Sequence, residues 1–322
     1  MTSNSLISVV SPVYGCRKCL PALAEAVEKA FEGTNLDWEL ILVDDRAPDE
    51  PWPVIESLSQ KNPNIHGMRL SRRHGQHLAI WAGLESARGD WVSVIDCDLQ
   101  DDPIFIPELH AQLIKEKVDA VIVSRGEWKD TAFRRLVSKA FYRVMKVLTG
   151  VHFNSDIGNF GLYSRRMVDL LLSFREKEVF LPIMVLLTGL PRSEYEIDRA
   201  DRHAGDTSYS LMHLLKLAVA IIIRFSDRPL KFSVVVGLAF SGFSAFFSVL
   251  LFIAWAIGSF TVPGWASLML STWFLSGFIL AVLGVHGFYM GRIFVEVQNR
   301  PRVIIETTTD PEKPTNVVES NT

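Results

Sequence analysis

Five short runs of aliphatic and β-branched residues are spaced along the first 124 positions: LISVVS (6–11), ELILVD (39–44), HGMRLS (66–71), WVSVID (91–96) and DAVIVS (119–124). Polar-faced helical stretches lie between them, near 18–32, 51–61, 76–87 and 104–117. Short apolar runs alternating with amphipathic helices predict βαβ units, hence an α/β domain built on a mostly parallel sheet with helices on both faces. Each run ends in residues with chemistry to offer. Tyr14 follows the first, Asp44 and Asp45 the second, Asp96 and Asp98 the fourth, and Arg125 the fifth. Open α/β sheets bind ligands at the carboxyl ends of their strands, so these groups share one predicted crevice.

The pattern changes beyond residue 210. Phe232 to Ile257 carries no charged residue, and neither does Trp265 to Val285. A helix over the first of these spans about 39 Å, more than the roughly 30 Å of a bilayer's hydrocarbon core. The joining segment GSFTVPG has no Lys or Arg, whereas Arg224, Arg228 and Lys231 precede the pair and Arg292, Arg300 and Arg302 follow it. The positive-inside rule then predicts a two-helix transmembrane hairpin with both termini cytoplasmic. The expected organisation is a cytosolic α/β domain over 1–210, a juxtamembrane amphipathic helix over 211–229 and a membrane segment over 230–291. Its helices are expected at about 232–257 and 265–289, followed by a cytosolic tail over 292–322. Two further basic or apolar helices, 133–149 with Arg134, Arg135, Ser138, Lys139, Arg143 and Lys146, and 211–223, suit a bilayer surface or a phosphate clamp. The polar residues from about Glu306 onward are expected to be disordered, with VII (303–305) able to add a strand to a neighbouring subunit.

Composition narrows the function. A net charge of −3 over 322 residues, with its cations scattered, gives no footprint for a nucleic acid. Three cysteines, an odd number with no secretory signal peptide, lead us to expect a reducing compartment and no disulfide framework. Cys16-x-x-Cys19 reads as two small apolar residues at a helix start, with half a zinc site or a redox pair as the lesser alternative. Neither GxGxxG nor GxxxxGK[ST] occurs, which removes the dinucleotide and P-loop readings. The most informative stretch is VSVIDCDLQDDP (92–103). Two carboxylates one residue apart repel unless a cation sits beside them, and Mg2+ or Mn2+ on carboxylate oxygens also bridges to substrate phosphates. The competing interpretation is a solvated acidic turn.

Seven motifs then occur in one order: SPVY (11–14), LVDD (42–45), GQHLAIWAGL (75–84), DCDLQDDP (96–103), FRRLVSK (133–139), SDIGNF (155–160) and RHAGDTSYS (202–210). With the hairpin, they resemble the polyprenyl-phosphate glycosyltransferases, inverting family 2 enzymes with a GT-A (Rossmann-like) fold and a C-terminal membrane anchor. That family includes dolichyl-phosphate mannose synthase and the undecaprenyl-phosphate glucosyl- and aminoarabinosyltransferases. The resemblance covers roughly residues 6–302. It implies that Pro12, Tyr14, Asp44 and Asp45 hold the donor nucleoside, with Gln76 nearby, and that Asp96 approaches the ribose or sugar. Asp98 with Gln100, beside Asp96, would hold the metal on the diphosphate. Arg202 would lie beside the phosphates; Arg125, Arg134 and Ser138 would meet the lipid phosphate, and Asp156 matches the proposed catalytic base. Asp156, Asp96 and Asp98 are thus the candidate catalytic set.

The chain departs from the family at Gly15-Cys16 (usually Asn-Glu), Arg46-Ala47 (usually Gly-Ser), Gly161 (often Arg) and Ser208 (often Lys). Arg46 and Arg73 are additional cations. The resemblance implies sugar transfer from a UDP- or GDP-linked sugar to undecaprenyl or dolichyl phosphate, at the cytoplasmic membrane, with a divalent cation and as a homo-oligomer, a tetramer being one form. A transferase using a lipid-linked sugar acceptor and a silent nucleotide-binding scaffold remain as alternatives. A processive polysaccharide synthase is disfavoured by the lack of Q-x-x-R-W and of a longer multi-helix pore.

Overall fold

The computed structural model describes residues 5–125, 157–177, 179–197, 228–257 and 264–310. All five predicted strands form: β1 (Ser5–Val13), β2 (Leu36–Asp44), β3 (Ile65–Leu70), β4 (Trp91–Val94) and β5 (Ala120–Arg125). So do the four predicted helices, α1 (Leu20–Phe31), α2 (Trp52–Lys61), α3 (Gln76–Ser86) and α4 (Ile106–Glu116). Three more strands follow, β6 (Ile157–Ser164), β7 (Arg192–Ile197) and β8 (Ile305–Thr308), with helices α5 (Arg165–Ser173) and α6 (Leu181–Leu187) between β6 and β7.

The eight strands form one mixed sheet in the order β7-β5-β6-β4-β1-β2-β3-β8. β1 pairs in parallel with both β2 and β4, β2 with β3, and β5 with β7; β6 and β8 run against their neighbours. β6 therefore lies between β4 and β5, which the strand runs alone did not reveal. Gly158, Asn159 and Gly161 interrupt its apolar pattern. A Cβ on Gly161 would lie 2.8 Å from the Val121 carbonyl oxygen of β5, so the neighbouring strand closes this position to a side chain.

Both faces of the sheet are covered. Alternate residues of β2 show it: Leu40 and Leu42 join one core with α1, α2 and α4, while Ile41 and Val43 join another with α3, α5 and α6. Each such fully buried aliphatic side chain contributes about 1.5–3 kcal/mol. α3 lies especially close to the sheet because Gly83 has no side chain; a Cβ there would be 2.3 Å from Val10 Cγ1.

The chain has a second compact unit, residues 130–153 and 205–299, besides this sheet unit, which takes in residues 300–322. Within the second unit two long apolar helices are described, α7 (Arg228–Ala256) and α8 (Trp265–Val297). Phe240 of α7 stacks on Phe278 of α8 with ring centroids 4.9 Å apart. Ser271–Val297 is long and apolar enough to cross a membrane, and its large residues Trp273, Leu280 and Phe288 are exposed.

The tail corrects an expectation. Residues 306–308 are not disordered: they continue β8, antiparallel to β3 of the same sheet. β3 would otherwise leave a row of edge amides unpaired, and Ile305, Thr307 and Thr308 are β-branched, which suits an edge strand. Arg302 fastens the approach, its guanidinium lying 4.4 Å over the Trp81 ring and its Nε donating to the Glu176 carbonyl at 3.0 Å. The predicted helices over 133–149 and 211–223 lie outside the described residues.

Candidate active site

The strand ends bring the predicted groups to one edge of the sheet. Pro12 is buried near the end of β1, and Tyr14 follows it with its ring exposed. The Arg73 guanidinium lies 4.3 Å over that ring, so one of the two additional cations stands in the crevice against the aromatic surface expected to face a nucleoside.

Asp44 is fully buried at the end of β2. One carboxylate oxygen accepts the Ala47 backbone N–H at 2.9 Å, and the other lies 3.3 Å from Arg69 Nε. Arg69 Nε does not point along a hydrogen bond to it, so that contact is one of charge. Burial raises the Asp44 pKa above the usual carboxylate value; the Ala47 N–H, Arg69 and Arg46 oppose the shift. Asp45, also buried, accepts the backbone N–H groups of His74 at 2.6 Å and Gly75 at 2.8 Å. It thereby holds the turn into α3, where Gly75 has φ +97°, a conformation that glycine adopts without a Cβ clash. Burial and Arg72 lower the His74 pKa, with Asp45 opposing, which favours the neutral ring.

Gln76 opens α3, and its Nε2 donates to Asp96 Oδ1 at 2.7 Å. The next carboxylate, Asp98, is exposed and accepts the Gln100 N–H at 3.1 Å across a turn in which Leu99 has φ +60°. Among the described residues no group of three or more His, Cys, Asp or Glu gathers as a metal site. Magnesium-class ions commonly take one or two carboxylates, with water and substrate phosphates completing the shell. The hard oxygens of Asp96, Asp98 and Gln100 fit that description.

Cysteine corrects a second expectation. Cys16 and Cys97 form a disulfide with Cα atoms 6.3 Å apart, and Cys19 is free. The spacing of 81 residues hid the pair, but β1 and β4 are sheet neighbours, so the loops that follow them lie side by side. Both cysteines are buried. The bond ties the segment after Tyr14 to the residue between Asp96 and Asp98, and Cys16 and Cys19 do not act as a pair.

Arg125 ends β5 on the same edge, in register with Ile197 of β7. Arg134, Ser138, Asp156 and Arg202 lie outside the described residues. So does Ser208. Glu306, which sequence reasoning assigned to a disordered tail, pairs with Arg46 and lies 3.7 Å from Arg69. Its only signal in the sequence was a charged residue within a short β-branched run.

Residues 8–171 match the family model described as Glycosyl transferase family 2. The chain is 33% identical over 308 residues to an undecaprenyl-phosphate 4-deoxy-4-formamido-L-arabinose transferase of Aeromonas hydrophila, covering 94% of each chain. It is 31% identical over 307 residues to an uncharacterized glycosyltransferase, YkcC, of Bacillus subtilis, covering 95% of each. Among solved structures, mannosyl-3-phosphoglycerate synthase from Rubrobacter xylanophilus aligns with 68% of this chain and 74% of its own, at 19% identity and a TM-score of 0.47. Glucosyl-3-phosphoglycerate synthase from Mycobacterium tuberculosis, in complex with Mn2+, UDP and glucosyl-3-phosphoglycerate, aligns with 69% of this chain and 80% of its own, at 17% identity and a TM-score of 0.46.

Proposed function

The chain belongs to glycosyl transferase family 2, and from that premise we propose that it transfers a sugar from a nucleotide-diphosphate sugar to a polyprenyl phosphate at a membrane surface. The observation that carries the reading is the likeness to the undecaprenyl-phosphate transferase, which runs over 94% of both chains and so extends beyond the sheet unit into the apolar helices. A soluble acceptor would give those helices no purpose. A polyprenyl phosphate keeps its reactive group at the bilayer surface, and an enzyme anchored there searches in two dimensions.

The chemistry follows from charge. As the glycosidic bond breaks, the departing nucleoside diphosphate gains negative charge, and groups that meet this charge more strongly in the transition state speed the step. Asp98 with Gln100, beside Asp96, would hold a divalent cation, Mg2+ or Mn2+, which would supply positive charge to the departing diphosphate. Arg202 adds a second positive group. Pro12, Tyr14, Asp44 and Asp45 form the nucleoside end, and Gln76 orients Asp96 through the bond already described. Arg125, Arg134 and Ser138 receive the acceptor phosphate. A phosphate monoester has its second pKa near 6, so at neutral pH it is largely a dianion and attacks without a strong base. Asp156 then orients the acceptor and helps to balance the charge of Arg125 and Arg134. Direct displacement by the phosphate oxygen inverts the anomeric centre. The flanking Arg and Lys residues support a multi-pass protein in the cytoplasmic membrane with both termini on the cytoplasmic side.

The test is a donor screen. Full-length protein in detergent or nanodiscs is incubated with UDP- and GDP-linked sugars, each with undecaprenyl or dolichyl phosphate, and the lipid fraction is read by mass spectrometry. A polyprenyl-phosphate-sugar whose formation stops in chelator is expected. Transfer only to a lipid-linked sugar, with none to the free phosphate, overturns the acceptor assignment.

A further inference from the structure

The last strand reaches the donor end of the crevice through a break in its own register. β8 pairs Thr308 with Met68, Thr307 with Arg69 and Ile305 with Leu70 of β3. Two consecutive residues of β3 thus face three of β8, and Glu306 is the extra one. Bulges of this kind re-aim a side chain. Here the Glu306 carboxylate meets the Arg46 guanidinium and lies 3.7 Å from Arg69 Nε, which lies 3.3 Å from Asp44 Oδ2. Arg69 is therefore shared between a buried carboxylate of the site and a carboxylate of the tail. Arg46 has φ +55°, a left-handed conformation unfavourable for a residue with a Cβ. Its guanidinium is anchored by Glu306, so the irregularities of the two segments meet in one ion pair.

We propose that Glu306 is a positioning residue of the donor site, holding Arg46 and Arg69 and, through Arg69, the carboxylate of Asp44. The inference rests on the reading that Asp44 holds the donor nucleoside. Without Glu306, Arg69 has one carboxylate in place of two, Arg46 has no anchor, and both cations are free to compete for Asp44 or for the donor's phosphates. The effect belongs to donor affinity, because the acceptor-phosphate residues are a different set. Exposed ion pairs contribute little to stability, so the signature is a change in donor binding without a matching change in melting temperature.

The experiment uses full-length protein in detergent and four variants. For each, Kd for UDP and GDP, KM for the nucleotide sugar and the lipid phosphate, and Tm are measured. Glu306→Gln is expected to raise the nucleotide Kd and donor KM about fivefold, the scale of one coupled contact, with lipid KM and Tm unchanged. Glu306→Asp is expected to recover part of the loss. Thr309→Val serves as the control for strand docking, since the Thr309 hydroxyl accepts the Gly67 N–H at 2.7 Å and carries no charge. It is expected to lower Tm and leave donor KM unchanged. If Glu306→Gln and Thr309→Val shift Tm and donor KM alike, Glu306 merely docks the strand and the proposal is overturned. Asp44→Asn separates the two levels. Nucleotide binding unchanged by Asp44→Asn overturns the donor reading of Asp44; binding weakened by Asp44→Asn but not by Glu306→Gln overturns the role of Glu306 alone.

Discussion

At the scale of single residues, the site holds carboxylates in unlike surroundings. Asp44 is dehydrated, and its pKa is raised chiefly by burial. A carboxyl whose folded pKa exceeds its unfolded value of about 3.9 binds its proton more tightly in the folded state. Its carboxylate therefore costs stability above the folded pKa, and that cost disappears as pH falls through it. Asp44→Asn removes the charge and is expected to raise Tm at pH 7 while weakening nucleotide binding. The gap in Tm between variant and native protein should narrow as pH falls toward 4. A variant less stable than the native protein at pH 7 would show that the contacts to Ala47 and Arg69 outweigh burial. Asp98, by contrast, is exposed. Asp98→Asn is expected to leave Tm nearly unchanged and to lower kcat roughly a hundredfold or more, as loss of a transition-state charge contact does. Full turnover of that variant in chelator would remove Asp98 from the metal set.

At the scale of elements, what matters is how closely α3 approaches the sheet, because its first residue presents Gln76 to Asp96. Gly83 sets that approach. In Gly83→Ala the new methyl would meet Val10 Cγ1 at 2.3 Å and Val43 Cγ2 at 3.3 Å. Overpacking of this kind costs about 1–3 kcal/mol, so a lower Tm is expected, with reduced kcat as the helix lifts and carries Gln76 away from Asp96. An unchanged Tm would mean that β1 yields without cost. Of the strands legible in the sequence, β1, β2, β4 and β5 carry mainly aliphatic stretches buried on both faces, whereas β3, IHGMRL, leaves His66 and Arg69 half-buried. β6 was hidden by Gly158, Asn159 and Gly161. β7, RSEYEI, alternates between exposed and half-buried positions and lacks an apolar run. β8 was hidden by its polar residues, which an edge strand tolerates. Among the candidate site residues, the placement of Asp44, Asp45, Asp96 and Asp98 at strand ends was legible because strand ends are local features. The Arg46–Glu306 pair was not, because its partners are 260 residues apart and meet only through the closing of the sheet edge.

At the scale of the whole chain, the charge bias around the apolar runs makes a topological prediction. With both termini cytoplasmic, a cysteine introduced at Thr261 is expected to react with an impermeant thiol reagent from outside intact cells, and one at Ser320 only after permeabilisation. The opposite pattern would reverse the orientation. The Cys16–Cys97 bond has its own consequence for how the chain is made. During synthesis Cys16 emerges 81 residues ahead of its partner, while Cys19 follows it after only three. The native bond needs β4 to have paired beside β1, so correct oxidation waits for a strand pairing across most of that 81-residue separation. Oxidation of a nascent or partly unfolded chain would instead favour the nearby Cys19, trapping a short loop just where α1 must begin. For this protein the order of events, sheet first and sulfur chemistry second, decides whether a purified sample carries the native bridge, and a disulfide map of material made with early or late oxidant would read that order directly.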